Sequence, residues 1–237
     1  MATIKLTNLT PSGAVVGIQE ENIVGIGARP HDAWGDVEKV IMDDYNAAEW
    51  TVTATGTSPI TPSVLPNARA LLTTGANEYD GDNMQWVGSR FKLTLGQPFH
   101  FHAKLAMSDA TQSDLVVGLC GVDTTLTNAS ASHALAVSAG GIFFSKLDGV
   151  TAGFVKTFTT ATEKNSAAAF TADTSAHSYD IVSNGTVVNF YYDNTLVASF
   201  ASDITTEVLT PSIAFRSGSS GAKTLTIHEC RAFQYRS

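Results

Sequence analysis

The stretch Phe99-His-Phe101-His-Ala103-Lys-Leu105-Ala-Met107 alternates strictly, with its apolar residues two apart. Period-2 alternation sends successive side chains to opposite faces of a strand, so one face here is wholly apolar. A strand of this kind needs a second apolar layer to cover it, which points to two packed sheets. From Phe91 onward short segments of the same kind recur: Leu115–Leu119, Ile142–Phe144, Phe154–Thr160, Ser178–Val182, Val187–Tyr192, Leu196–Phe200, Ser212–Phe215 and Leu225–Tyr235. Polar turns separate them at a spacing of roughly ten residues, the rhythm of an antiparallel sandwich or barrel. Asn184-Gly185 and Asp193-Asn194 are expected to be two-residue type I′ turns, which require positive φ. His133–Val137 and Ile142–Phe144 flank Ala139-Gly-Gly141 and read as a further hairpin.

The first ninety residues are less regular. Residues 1–30 hold apolar pieces (Ile4, Leu6, Leu9; Val15, Val16, Ile18) with no helical period and no closing hairpin. Such a segment cannot build a core alone, so it is expected to extend as an arm, with those six residues as partner contacts. Residues 31–48 hold the one stretch patterned like a helix, Trp34 to Ile41, with Asp32 as N-cap. Glu49–Thr55 and Ala68–Thr74 read as strands around a loop containing Pro59, Pro62 and Pro66. The expected division is an N-terminal arm and short helix over 1–48 and a sandwich over 49–237, with the strongest pattern in 91–235.

Charged residues make up only 15% of the chain, against roughly 25% in an average soluble protein. Small polar residues fill the gap, as on surfaces that meet other subunits. A net charge of −8 with scattered Lys and Arg argues against a nucleic-acid partner. Cys120 and Cys230 lie in apolar alternating segments and are expected to be buried free thiols, with a disulfide between strands as the alternative. No apolar run is long enough to span a membrane, and Met1–Thr7 lacks the pattern of a signal peptide. Synthesis in a cytoplasm is therefore expected.

His177-Ser-Tyr179-Asp-Ile181-Val-Ser-Asn-Gly-Thr-Val-Val188-Asn-Phe190-Tyr-Tyr192-Asp-Asn-Thr-Leu196-Val-Ala-Ser-Phe200 resembles the central hairpins of concanavalin A-like (laminin-G-like) jelly rolls. Thr224–Tyr235 is similar to the closing strand of that fold. The resemblance spans about residues 91–235 and implies an all-β, antiparallel jelly-roll sandwich. Asn77–Asn83 and Ser108–Leu119 look like segments of structural proteins in tailed-bacteriophage virions, some of them capsid decoration (cement) proteins. That second resemblance implies a virion component present in many copies.

Glycosidases of this fold carry Glu-x-Asp-x-x-Glu on one strand. Glu78-Tyr-Asp80-Gly-Asp82-Asn83 departs from it, with Asn where the last Glu belongs, in what reads as a loop. Retaining hydrolysis needs two carboxylates, so no catalysis is expected. His100 and His102 project from one strand face as a metal pair could, but a site would still need a third ligand and Lys104 follows on that face, so partly exposed structural histidines are expected. Asp109, Asp114 and Asp123 are candidates for a loop calcium site, against the reading of solvated loop carboxylates. Gly25-Ile-Gly27 and Gly218–Gly221 lack the setting of a phosphate cradle. Trp34, Trp50 and Trp86 read as core or interface anchors, with a sugar platform as the alternative.

These readings converge on a non-catalytic virion protein without cofactor or metal, binding a major capsid protein and forming a homo-oligomer, taken to be a trimer. The alternative is a carbohydrate-binding, lectin-like module of a phage tail or fibre.

Overall fold

The computed structural model describes residues 37–42, 45–59, 62–66, 68–88, 91–93, 97–127, 140–159, 163–202 and 204–235. Among them every regular element is a strand. Sheet A holds β1 (Val37–Ile41), β3 (Ser63–Leu65), β4 (Ala68–Thr73), β7 (Phe99–Met107), β13 (His177–Ser183), β14 (Val188–Tyr192), β15 (Thr195–Phe200) and β17 (Thr224–Tyr235). Sheet B holds β2 (Trp50–Thr55), β5 (Gly81–Trp86), β6 (Phe91–Lys92), β8 (Ser113–Cys120), β9 (Gly141–Lys146), β10 (Ala152–Phe158), β11 (Glu163–Asn165), β12 (Phe170–Thr171) and β16 (Val208–Ser217). Sheet A runs β15-β14-β13-β7-β17-β4-β3, with β1 added on β17. Sheet B runs β11-β10-β9-β8-β16-β5-β2, with β12 on β10 and β6 on β16. The pairings are antiparallel, and the long-range ones, β7 with β17 and β8 with β16, make the molecule a jelly-roll sandwich.

The alternation of Phe99–Met107 holds throughout: Phe99, Phe101, Ala103, Leu105 and Met107 are buried, and the residues between them are half-buried. They face Leu115, Val117, Leu119, Ile142, Phe144, Ile213 and Phe215 from sheet B across one continuous core. Phe144 sits edge-on to Phe170, Tyr179 and Phe190 at 5.3–5.8 Å between ring centroids, which links the two sheets through aromatic contacts. β8 and β9 are buried on both faces. Val116, Cys120, Phe143 and Ala214 turn away from the core and pack with Leu126 in a second apolar cluster. That accounts for continuous runs such as Leu115-Val-Val-Gly-Leu119, where one-sided burial would have produced alternation.

Two expectations change. The helix expected over 31–48 is not formed at Val37–Ile41, which is a strand paired with Arg231–Tyr235. Val and Ile favour strands, and backbone pairing with β17 decides for one here. Asn184-Gly185 is not a two-residue turn. Asn184 Oδ1 accepts from the backbone N–H of Thr186 and Val187 in a longer loop, and only Gly185 takes positive φ. Asp193 and Asn194, at φ 46° and 64°, do make the expected tight turn. The arm residues Ile4, Leu6, Leu9, Val15, Val16 and Ile18, and the first arm of the 133–144 hairpin, lie outside the described residues.

Candidate functional site

The outer face of sheet A carries the chemistry. Pairing sets Tyr191 of β14 beside Asp180 of β13, Asp180 beside His102 of β7, and His102 beside Arg231 of β17. His100, two residues along β7, lies on the same face. Asp180 Oδ1 accepts from His100 Nε2 at 2.9 Å and from His102 Nδ1 at 2.8 Å. The other nitrogen of His102, Nε2, lies 3.5 Å from Glu229 Oε2, and Arg231 Nη2 is 3.3 Å from the same oxygen. Side-chain exposure is 25% for His100, 12% for His102 and 16% for Asp180, enough shielding to strengthen these polar contacts while the groups remain reachable. Burial alone would raise the Asp180 carboxyl, but the hydrogen bonds from His100 and His102 outweigh it and hold the group at about 2.

The pairing of His100 with His102 was legible in their spacing; the third member, Asp180, was not singled out. Its own strand shows the signal, since Tyr179 and Ile181 are buried while Ser178, Asp180 and Val182 alternate outward. Lys104 lies further along the same face, opposite Ser178 and Glu229.

The other candidates separate. Asp109 Oδ1 caps Thr111 and Gln112 and its Oδ2 pairs with Lys223 Nζ at 3.1 Å. Asp123 Oδ1 accepts from Thr125 N. Asp114 is fully buried, its Oδ2 held by Arg216 Nε at 2.7 Å and Nη2 at 2.5 Å, its Oδ1 by Asp148 N at 2.6 Å. These aspartates do three separate jobs, and among the described residues they form no metal-ligating group; nor is Asp114 a solvated loop carboxylate. Asp80 is a loop anchor, accepting from Thr57 N, Thr57 Oγ1, Asn77 N and Asn77 Nδ2. Glu78 is exposed in that loop. Asp82 and Asn83 do lie on a strand, β5, with Asn83 Nδ2 donating to Asp123 O at 2.7 Å. Trp50 is 1% exposed and edge-on to Trp86 at 5.4 Å, so this pair anchors the core; Trp34 lies outside the described residues. Gly218 and Gly221 sit in the β16–β17 loop, and Gly25 and Gly27 are not described. Cys120 and Cys230 are buried free thiols on different sheets; burial pushes Cys230 up to about 12.

A second polar cluster closes the β13–β14 end. His177 stacks on Tyr192 at 4.8 Å, and Tyr192 stacks on Phe170 at 4.7 Å. His177 Nδ1 contacts Asp193 Oδ2 at 2.6 Å and Nε2 contacts Asp173 Oδ1 at 2.9 Å. Both faces of the Tyr192 ring are therefore taken.

No protein-family model and no curated protein matches the chain. Solved structures do. An endo-1,3-β-glucanase from Streptomyces sioyaensis superposes with a TM-score of 0.58 at 10% identity, covering 89% of this chain and 99% of that one. A Bacillus licheniformis β-glucanase gives 0.56 at 13%, covering 84% and 98%. The potassium-bound carbohydrate recognition domain of Emp46p gives 0.54 at 8%, covering 81% and 93%. The expectation that this chain catalyses nothing is thereby corrected. The glucanases are enzymes built on this architecture, so an Asn at position 83 rules out one arrangement of carboxylates and not catalysis as such. The virion resemblance has no counterpart among these three structures and rests on sequence segments alone. At these identities the likeness establishes architecture: the chain folds as a concanavalin A-like jelly roll of the kind found in glucanases and lectins.

Proposed function

We propose that this protein binds carbohydrate through the outer face of sheet A. The observation that carries the reading is the cross-strand row Tyr191–Asp180–His102–Arg231. Sugar hydroxyls need donors and acceptors held at set angles, and an aromatic face for the C–H side of the ring. The row supplies a carboxylate, an imidazole, a guanidinium and a phenol from four adjacent strands. Strand spacing makes it about 14 Å wide, room for a short oligosaccharide. Asn189, two residues before Tyr191, adds an amide on the same face. Further support comes from fold neighbours of both kinds, a carbohydrate recognition domain and glucanases. Both kinds of protein must first hold a glycan, so the reading stands whether or not a bond is then cut. It does not require the virion setting.

Glycan-array binding followed by calorimetry on any hit tests it, with released reducing ends measured in parallel. Tyr191→Ala is expected to weaken binding at least tenfold while leaving the fold intact. Silence across a broad array at high protein concentration, or a hit that Tyr191→Ala and Asn189→Ala leave unchanged, would overturn the proposal.

A further inference from the structure

We propose that His100 Nε2, His102 Nδ1 and an Asp180 carboxylate oxygen form a binding site for a divalent first-row transition metal such as zinc. One ligand atom from each of the three residues lies within 4.8 Å of the other two, and Asp180 Oδ1 is 2.9 Å from His100 Nε2 and 2.8 Å from His102 Nδ1. Zinc bonds of about 2.0–2.2 Å to nitrogen and oxygen place tetrahedral neighbours roughly 3.3 Å apart. The two nitrogen–oxygen separations therefore need to open by about half an ångström, within reach of small χ adjustments. The strands supply the rest of the rigidity. His100 and His102 sit on one face of β7, and Asp180 is fixed opposite His102 by backbone pairing.

The donor set selects the metal. Two imidazoles and one carboxylate suit zinc, copper, nickel or ferrous iron, whereas calcium and magnesium want oxygen ligands throughout. Glu229 completes the arrangement from outside the ligand set. With Nδ1 on the metal, Nε2–H of His102 points to the Glu229 carboxylate 3.5 Å away, the orienting contact typical of metal-bound histidine. Arg231 and Lys104 add positive charge on this face, and Glu229 offsets Arg231 by direct contact. Each ring nitrogen that now donates to Asp180 loses that proton when the metal enters: a doubly protonated ring releases it to solvent, and a neutral ring takes one up at its other nitrogen, which leaves Nε2–H on His102 in either case. Three protein ligands leave a coordination position open on the exposed side, for water or a ligand oxygen.

The inference does not rest on sugar binding, although His102 and Asp180 belong to both sites. Its test is equilibrium dialysis of the full chain, stripped with chelator, against zinc, with cobalt(II) absorption as the geometric readout. One equivalent of zinc is expected, with d–d bands of a low-coordinate cobalt complex. His100→Ala, His102→Gln and Asp180→Asn should each weaken binding more than tenfold, and Glu229→Gln about tenfold. His177→Ala, at the other polar cluster, should leave it unchanged. Circular dichroism of each variant separates a lost ligand from a lost fold. Zinc uptake well below one equivalent, or uptake that survives His100→Ala and His102→Gln in folded protein, would overturn the assignment. Zinc retained by a protein silent toward glycans would sink the carbohydrate reading and leave this one standing.

Discussion

Asp82 should make this protein less stable as pH rises through neutrality. It is 3% exposed on β5, opposite Ala54 and Phe215, and neither carboxyl oxygen has a hydrogen-bond partner. Burial raises its carboxyl from 3.8 to about 7. The folded state thus keeps the proton over a range where the unfolded chain has lost it, so the contribution is fully present below about pH 4 and gone above about pH 7. Three decades at 1.36 kcal/mol each set an upper bound of about 4 kcal/mol. Water reaching the charged form would reduce this, so about 2–4 kcal/mol is expected. Asp82→Asn keeps the shape and removes the titration. Urea unfolding of both proteins from about pH 4.5 to pH 8.5 isolates it, because groups common to both cancel in the difference. The stability of Asp82→Asn relative to the parent should climb across that range by at least about 2 kcal/mol. A difference flat to within about 0.5 kcal/mol would show that Asp82 is ionised and solvated in the folded state.

Phe144→Ala should cost about 3–5 kcal/mol in chemical denaturation, since it removes the ring that meets Phe170 within its own sheet and Tyr179 and Phe190 from the opposite one. Asp114→Ala should cost about 3–5 kcal/mol by stranding the buried Arg216 guanidinium, and Asp114→Leu with Arg216→Met should recover much of that loss. Burial works to lower the pKa of His177, but the hydrogen bonds it donates to Asp193 and Asp173 win and raise it. Its contribution is therefore present below about pH 6.5 and lost as pH rises through the folded value. His177→Gln should abolish that part of the stability–pH profile, measured as above.

Much of the fold was legible because alternation survives wherever a strand has one wet face. β7 is the clear case, with its five apolar residues buried and its polar residues outward. The pattern fails where both faces are covered. Nothing in Leu115–Leu119 tells that Leu115, Val117 and Leu119 face the inter-sheet core while Val116 meets Phe143 and Leu126. It also fails at Val37–Ile41, where local residues fit a marginal helix and the decision comes from β17, nearly two hundred residues away in sequence. Turn chemistry carried one position out of two. Asp193-Asn194 takes the tight form, whereas Asn184 spends its side chain on two backbone donors and opens the loop.

The candidate site divides along the same line. His100 and His102 are i and i+2 on one strand, so their shared face follows from the pleat alone. Asp180 lies 78 residues from His102, and only the antiparallel docking of β13 on β7 puts it between the two imidazoles. A one-residue slip in that pairing would turn Asp180 toward the core and Ile181 toward solvent, an exchange the core forbids because Ile181 is fully buried. The position of the carboxylate is therefore enforced by apolar burial on the opposite face of the same strand. The aspartates that looked most like a cation site show the converse. Asp109, Asp114 and Asp123 are close in sequence, yet each is claimed by its own backbone caps or cation. In a jelly roll, ligand groups are gathered by register across the sheet rather than by spacing along the chain.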